Sequence, residues 1–572
     1  MKLFKKYYKS YIKLFLIAVF FLSLETFADL MQPFLVSKLI DKGVSNHNLE
    51  QIWFYGFLML ITTVVGLISA LTRNYISSNV SFGVSRDLRK DLYSKLVYMN
   101  QNQIESFDRG SIITRITGDV NQIQQFTNGM MRIFLKSPFS AIGAIIMVSA
   151  LDIRLAMTFL IIVPISFLII YLNIKVGFPL YAKIQNRLDK LNFKTMEFLN
   201  GIRVVKAFGR TLHEEREFKQ INDNLTDSTI NTMRITSIFG PLIQFVINMA
   251  IVFILYMGGT WVNEGTFTIG QIVAFVNYMT QFLFAMSVVS RVFTMFVKAG
   301  TSSTRIEEIL FINTEEYKKD EISNFGSIEG CISLKNVYYR YGEGEYTLKN
   351  ISFDIESGST VGILGATGSG KTTLANVIHG FYKPEKGNVY FGGLDSEKLK
   401  KSTIRELISH VEQKTLLFSG SIMENLKWGN RDAEEEILKS SLRISKANEF
   451  VSKLPDGGKS KIGKGGVNLS GGQKQRLSIA RALVHKPKII ILDDSTSSVD
   501  ILTEKDILDQ MSKFNPNMTK LIISQRVSTV MNLDKILVLN NGELVGNGTH
   551  QELIQSCLEY KDIFESQIGE VK

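Results

Sequence analysis

Cysteine is almost absent from this chain: Cys331 and Cys557 are the only two among 572 residues. Two residues so far apart exclude a disulfide framework and a cysteine-ligated zinc site. They fit a reducing, cytosolic compartment for the half that carries them. No basic stripe with interleaved aromatics is present either. That removes the usual footprint of nucleic-acid binding, although the net charge is +11. No low-complexity segment or short-period repeat appears. The opening MKLFKKYYKSYIK is basic and aromatic like a signal-peptide n-region, but no small-residue cleavage site follows its apolar run. It is expected to form a cytoplasmic elbow against an anionic inner leaflet.

Apolar sequence, by contrast, is abundant. Hydrophobic residues make up 45% and mean hydropathy is +0.10. They concentrate before about residue 300, and a chain of this length has room for two large units. A membrane span needs about 20 mostly apolar residues. Six runs qualify, roughly Leu14 to Leu39, Ile52 to Leu71, Ile133 to Leu151, Leu155 to Phe178, Ile235 to Trp261 and Ile269 to Val297. The first, third and fifth connections are short. The second and fourth are long and rich in Lys and Arg, which places them, the N-terminus and the C-terminal half on the cytoplasmic side. Val80 to Met99 and Ile184 to Phe208 carry helical periodicity, so the membrane helices are expected to continue well into the cytoplasm. Beyond residue 328, strands and helices alternate in an α/β pattern. The expected organisation is a six-helix transmembrane domain over 1–312, a polar linker over 313–327 and an α/β nucleotide-binding domain over 328–572.

The chemistry-bearing motifs lie in that second half. Gly365, Ala366, Thr367, Gly368, Ser369, Gly370, Lys371 and Thr372 read GATGSGKT. They follow the apolar strand Thr360 to Leu364 and open a helix from Thr373 to His379, the setting a phosphate-binding P-loop requires. Backbone N–H groups and the helix N-terminus would cradle the phosphates of ATP. Lys371 would reach the β- and γ-phosphates and Thr372 would ligate Mg²⁺. Ile489 to Asp494 reads IIILDD, which puts Asp493 at a strand end suited to Mg²⁺. Between these two motifs, Leu469, Ser470, Gly471, Gly472 and Gln473 read LSGGQ and continue into KQRLSIARAL. Taken alone, the pentapeptide also reads as a Gly-rich helix cap.

In that setting the chain resembles the ATP-binding-cassette (ABC) transporters, over its whole length and in exporter form. The resemblance implies two cassettes that sandwich two ATP molecules head to tail, with LSGGQ of one capping the γ-phosphate held by the other. It implies that Tyr341 stacks on adenine and that Thr373 belongs to the nucleotide contacts. Gln413 becomes the glutamine that senses Mg²⁺ and contacts the membrane domain. Ser497 to Asp500 match the D-loop, and Gln525 takes the switch position. Glu105 to Val120 and Gly201 to Arg210 look like exporter cytoplasmic loops, with coupling helices near Ile104 to Arg109 and Val205 to Arg210. ATP binding would close the cassettes and hydrolysis reopen them, alternating the access of a membrane cavity. No cysteine-peptidase extension precedes the first span, which argues against leader-peptide cleavage.

Three positions depart from the family. Asp494 stands where an active member carries Glu, retracting the carboxylate by about 1.5 Å, one C–C bond. A displacement of about 1 Å in a catalytic group can cost ~10²-fold in rate. Gln525 replaces His; it donates a hydrogen bond but carries no charge and relays no proton. Both changes fall in the site built on this chain's own P-loop, whereas the intact LSGGQ serves the opposite site. Lys464 replaces a common Glu. The pattern resembles the degenerate-site subunit of heterodimeric bacterial multidrug exporters, whose partner half-transporter would carry Glu and His. A working homodimer exporting lipid or peptide, and an ATP-gated regulatory membrane subunit, are the alternatives. The setting implied is a bacterial cell membrane.

Cargo is less legible. Glu25 and Asp29 share one face of the first span. Buried carboxylates there either meet a cationic substrate or a proton, or pair with a nearby Lys or Arg. Asn277 and Gln281 share a face of the sixth span near Tyr278 and Phe282. Together with abundant Phe and Met they suit a forgiving cavity for hydrophobic or amphipathic compounds, or ordinary helix packing.

Overall fold

The computed structural model of the chain describes residues 6–312, 328–496 and 498–569. The expected linker over 313–327, residues 1–5 of the elbow and Ser497 of the D-loop lie outside the described residues. Two compact units emerge: Met1–Tyr98 with Phe107–Asn313, and Met99–Ser106 with Thr314–Lys572.

The first unit is helical. Its elements are α1 (Ile12–Lys38), α2 (Leu49–Tyr98), α3 (Gln101–Glu105, which groups with the second unit), α4 (Arg109–Thr114), α5 (Val120–Gly129), α6 (Lys136–Leu151), α7 (Ile153–Ala207), α8 (Thr211–Thr236), α9 (Phe239–Asn263) and α10 (Ile269–Leu310). Among the described residues, six helical stretches are long and apolar enough to cross a membrane: Lys6–Val44, Leu49–Tyr98, Arg109–Leu151, Ile153–Ala207, Thr211–Asn263 and Ile269–Val288. The 50 residues of α2 extend about 75 Å at 1.5 Å each, against an apolar bilayer core of about 30 Å. The remainder projects beyond the lipid, as the polar periodicity predicts.

The membrane helices are turned inside out relative to a soluble bundle. On α2, Phe54, Phe57, Leu60, Leu67 and Leu71 face outward. Ser69, Arg73, Ser77, Ser81 and Ser85 face inward. Lipid solvates the apolar side, so small and polar groups make the helix contacts. Gly143 of α6 shows how close the helices come: a Cβ there would lie 2.2 Å from Leu30 of α1.

Glu25 and Asp29 turn out to be paired. Arg73 grips Glu25 through Nε at 2.7 Å and Nη2 at 3.3 Å. Lys136 reaches Glu25 at 2.6 Å and Asp29 at 2.9 Å. Glu25 and Arg73 are sealed from solvent, while Asp29 is half-exposed. Pairing with Lys and Arg is thus the alternative observed for these carboxylates. A buried charge persists only when a partner offsets its desolvation. Gln281 donates to the Asp29 backbone carbonyl at 3.1 Å, Tyr278 to that of Leu30 at 2.7 Å, and Asn277 to its own helix at Val273.

The expected positions of the two coupling segments need correction. The first short helix is α3, begun by an Asn100–Gln103 capping box, and Ser106 to Asp108 form the turn after it. It therefore ends where the expected one begins. At the second, Val205 to Ala207 close α7 and the chain turns through Gly209 at φ +61°. No separate short helix stands there.

The second unit has, among its described residues, twelve strands: β1 (Ile332–Tyr339), β2 (Leu348–Ile355), β3 (Thr360–Leu364), β4 (Lys386–Phe391), β5 (Leu394–Asp395), β6 (Ile408–Val411), β7 (Gly420–Ser421), β8 (Lys461–Ile462), β9 (Ile489–Asp493), β10 (Thr519–Ser524), β11 (Lys535–Asn540) and β12 (Glu543–Gly548). An antiparallel sheet runs β2-β1-β4-β5, and a six-stranded sheet runs β12-β11-β3-β10-β9-β6. In the latter, β3, β6, β9, β10 and β11 are parallel. The central strands are buried on both faces, which is why IIILD and TKLIIS read as continuous apolar runs. Helices α11 (Lys371–Ile378), α12 (Gly471–Val484), α13 (Ile501–Phe514) and α14 (Leu558–Ile568) pack around the sheets.

Two histidines sit close together in this unit, His379 buried and His410 partly buried. His379, after α11, and His410, in β6, have ring centroids 5.6 Å apart. Burial pulls the pKa of His379 down to about 3 and that of His410 to about 4, with His410, Arg405 and His485 adding to the first. In the unfolded chain both titrate near 6.5. Between those values the unfolded chain binds more protons, so the stability these rings confer is complete above about pH 6.5 and falls as pH falls toward 4. At pH 5 the loss is about 2 kcal/mol per ring. The unfolding midpoint of the cassette should therefore drop between pH 7.5 and pH 5. His379→Gln with His410→Gln should flatten that drop.

Candidate functional site

The site forms where three neighbouring parallel strands end. In the order β3-β10-β9, Leu364 sits beside Ser524 and Ile523 beside Asp493. The loops that follow these strands must converge at one edge, the usual ligand position in an open α/β sheet. The first loop is GATGSGKT. Gly368 and Gly370 take φ of +87° and +101°, a region that side chains resist. At Gly365 a Cβ would stand 2.3 Å from the Leu539 carbonyl, so nothing larger fits. The loop then delivers its N–H groups to the start of α11.

Lys371 folds back over this loop, donating to the carbonyls of Gly365 at 2.8 Å and Ala366 at 2.7 Å. Burial holds its pKa below the usual lysine range, against the pull of Asp493 and Asp494. Asp493, buried at the end of β9, has its carboxyl pKa raised by burial, while a hydrogen bond from Thr372 opposes the shift. Asp494 sits in the left-handed region at φ +46°, uncommon for a residue with a side chain. Its N–H binds the Ile523 carbonyl at 2.9 Å and its Oδ2 accepts from Gln413 Nε2 at 2.9 Å. Gln525 follows β10, and its Oε1 accepts from Thr367 Oγ1 at 3.3 Å.

One cleft is thus lined by Thr347, Thr367, Gly368, Gly370, Lys371, Thr372 and Thr373, together with Gln413, Asp493, Asp494 and Gln525. Gly365, Ala366 and Ser369 support it from behind through the Lys371 contacts. Thr347 had no signal in the sequence; it comes in just before β2.

Tyr341 stands at the side of this cleft, half-exposed, its hydroxyl 3.1 Å from Thr373 Oγ1. It meets Tyr339 and Tyr382 edge-on, and those two rings stack 5.0 Å apart. The Tyr339 hydroxyl donates to Asn102 at 3.0 Å and that of Tyr382 to Glu105 at 3.0 Å. The tyrosine beside the cleft is therefore packed against the two that hold α3. Sequence reasoning missed Tyr339 and Tyr382; the period-2 repeat Tyr339, Tyr341 leaving β1 was the available signal.

Leu469, Ser470, Gly471, Gly472 and Gln473 do not line this cleft. They begin α12, where Ser470 Oγ accepts from the Gln473 N–H at 3.3 Å and Gln473 Oε1 from the Ser470 N–H at 2.9 Å. That is a reciprocal cap on a helix N-terminus. Gly472 lets Ser498 approach: a Cβ would lie 2.7 Å from its carbonyl. Asp500, the last D-loop residue, caps α13 through the Thr503 N–H at 2.9 Å. Buried Glu504 of α13 ties Thr496 to Thr529, linking the segment after β9 with the segment after β10. Lys464 lies in a short turn whose Gly465 carbonyl accepts from Lys474 at 3.0 Å.

The family models for the ABC transporter transmembrane region and for the ABC transporter cassette match residues 15–286 and 348–497. An uncharacterized ABC transporter ATP-binding protein, YfiB of Bacillus subtilis, is 35% identical over 98% of this chain and 97% of its own length. The ATP-dependent lipid A-core flippase of Haemophilus influenzae is 28% identical over 95% of this chain and 92% of its own. Among solved structures, a bacterial Atm1-family ABC exporter with ATP bound superposes with a TM-score of 0.82 at 21% identity, covering 97% of this chain and 98% of that one. Six candidate membrane helices followed by a nucleotide-binding cassette, matched along nearly the whole length, make this chain a member of the ABC transporter family, with the fold of a bacterial ABC exporter.

Proposed function

We propose that this chain is the degenerate-site half of a heterodimeric exporter that moves hydrophobic or amphipathic compounds out of the cytoplasm or inner leaflet of a bacterial cell membrane. The chain holds ATP in its own cleft and turns it over slowly, and it lends LSGGQ to the active site of a partner half-transporter that carries Glu and His. The observation that carries the reading is Asp494. Its carboxylate is one methylene short of the family's Glu and accepts a hydrogen bond from Gln413, while Gln525 opposite offers an amide in place of an imidazole.

In this reading Lys371 exchanges its two carbonyl partners for the β- and γ-phosphates, and Tyr341 offers its exposed face to adenine. The hydroxyl of Thr372, the carboxylate of Asp493 and the amide oxygen of Gln413 are hard oxygen donors, the set Mg²⁺ prefers. Two neighbouring carboxylates against one lysine also leave a negative balance for a divalent cation to offset. Bound there, Mg²⁺ would neutralise phosphate charge. The cassette, N-terminus and long helical extensions lie in the cytoplasm, following the Lys and Arg of the second and fourth connections.

A homodimeric lipid exporter is the second reading, favoured by the similarity to a protein named as a lipid A-core flippase. ATP turnover separates the two. The heterodimer predicts background hydrolysis by the purified chain alone and at least tenfold more when a partner with Glu and His is added. Brisk turnover by the unmodified chain alone selects the homodimer.

A further inference from the structure

The C-terminal helix α14 buries one stripe. Tyr560 is fully buried, and Ile563 and Phe564 pack into the same cluster as Leu364, Val527 and Val530. Positions 560, 563 and 564 are followed on that face by 567. There the apolar stripe is broken by glutamine. The Gln567 amide meets the backbone on both sides of Arg526: Nε2 donates to the Gln525 carbonyl at 2.7 Å, and Oε1 accepts from the Val527 N–H at 2.9 Å. Both polar ends of one side chain are used, in the pattern of a strand pairing with the loop. The other N–H in this stretch, that of Arg526, is taken by Ser524 Oγ at 3.0 Å. The Gln525 side chain then reaches Thr367 in the P-loop. The helix itself is anchored independently, since His550 Nδ1 lies 2.7 Å from the Tyr560 hydroxyl.

We propose that Gln567 is a positioning residue for the nucleotide cleft: it clamps the loop that presents Gln525, so the C-terminal helix sets how tightly this chain holds ATP. The proposal rests on the ATP reading of the cleft. Gln567 touches no nucleotide and acts only through the Gln525–Val527 backbone. A free loop would let Gln525 leave Thr367, and ATP would then have to order it. The converse also follows. Nucleotide that fixes Gln525 stabilises the docking of α14, so the end of the chain reports occupancy of the cleft.

The discriminating variant is Gln567→Leu in the full-length chain in lipid nanodiscs. Leucine continues the apolar stripe and removes both hydrogen bonds, so the fold is retained; Ser566→Ala, whose hydroxyl bonds only the Ile563 carbonyl of its own helix, is the control. Amide hydrogen exchange at Val527 and the affinity for Mg²⁺-ATP are measured on each. Gln567→Leu is expected to leave the unfolding midpoint unchanged, raise Val527 exchange about tenfold and weaken ATP binding roughly two- to tenfold, the worth of one or two ordinary hydrogen bonds. Gln567→Glu keeps the acceptor and loses the donor, and should fall between. Wild-type exchange and wild-type affinity in Gln567→Leu overturn the proposal. So does faster exchange with unaltered affinity, since the clamp would then be structural only. If the unmodified chain binds no ATP, the nucleotide reading itself fails, and the Val527 exchange rates separate that failure from this one.

Discussion

Ser470→Asp in this chain is expected to lower ATP turnover of the paired transporter at least ~100-fold while leaving the cassette folded. Aspartate is as good an N-cap as serine, so α12 keeps its start and the Gln473 N–H keeps its acceptor. What changes is the charge presented outward. A helix N-terminus with free N–H groups attracts phosphate, and a carboxylate there repels it. Removing one preorganised donor from a developing negative charge costs about 10²–10³ in rate, and repulsion adds to that. The same change in the partner's signature should cost far less, because it faces the slow site. Equal losses from the two changes would mean two equivalent sites, and the asymmetry argued from Asp494 and Gln525 would be wrong. The measurement is steady-state phosphate release from purified heterodimer, with thermal unfolding of each variant alongside.

The second large effect runs the other way. Asp494→Glu with Gln525→His should raise hydrolysis by this chain alone from background by about 10² or more, provided it self-associates. A positioned general base contributes typically 10²–10⁴-fold. Glutamate restores the missing reach at the end of β9 without altering the Asp493 side chain or the strand. Histidine restores a charged, proton-relaying partner beside Thr367. Asp494→Ala with Gln525→His is the control and should stay silent. The two changes act as one unit, so each alone should give much less than the square root of the combined gain.

The architecture was largely visible in the sequence because the bilayer imposes a long-period signal. Twenty apolar residues cannot be hidden, and neither can helices that continue into polar sequence, as α2 and α7 do over 50 and 55 residues. The cleft was legible because its strand–loop–helix context is local: β3, Gly365–Thr372 and α11 are contiguous. What could not be read depends on groups far apart in sequence. Glu25 finds Arg73 48 residues away and Lys136 111 residues away. No pattern in the first span announces those partners. Gln413 and Asp494, 81 positions apart, could be placed at one site by resemblance, but their mutual hydrogen bond could not be foreseen. The start of α3 lies a few residues before the position implied by the loop resemblance, because the Asn100–Gln103 capping box begins the helix there. Gln567 was overlooked because a single polar residue on an apolar stripe looks like the frayed end of a helix. It was the partner backbone at Gln525 and Val527 that gave it meaning.

The central claim is that this chain's cleft keeps its ATP while the partner's turns over. The most direct measurement loads the heterodimer with radiolabelled 8-azido-ATP and Mg²⁺, chases with excess unlabelled ATP through many turnovers, and then photo-crosslinks and counts label on each subunit. Label retained on this chain and lost from the partner is the predicted result. Label lost from both at the rate of steady-state turnover would contradict the account.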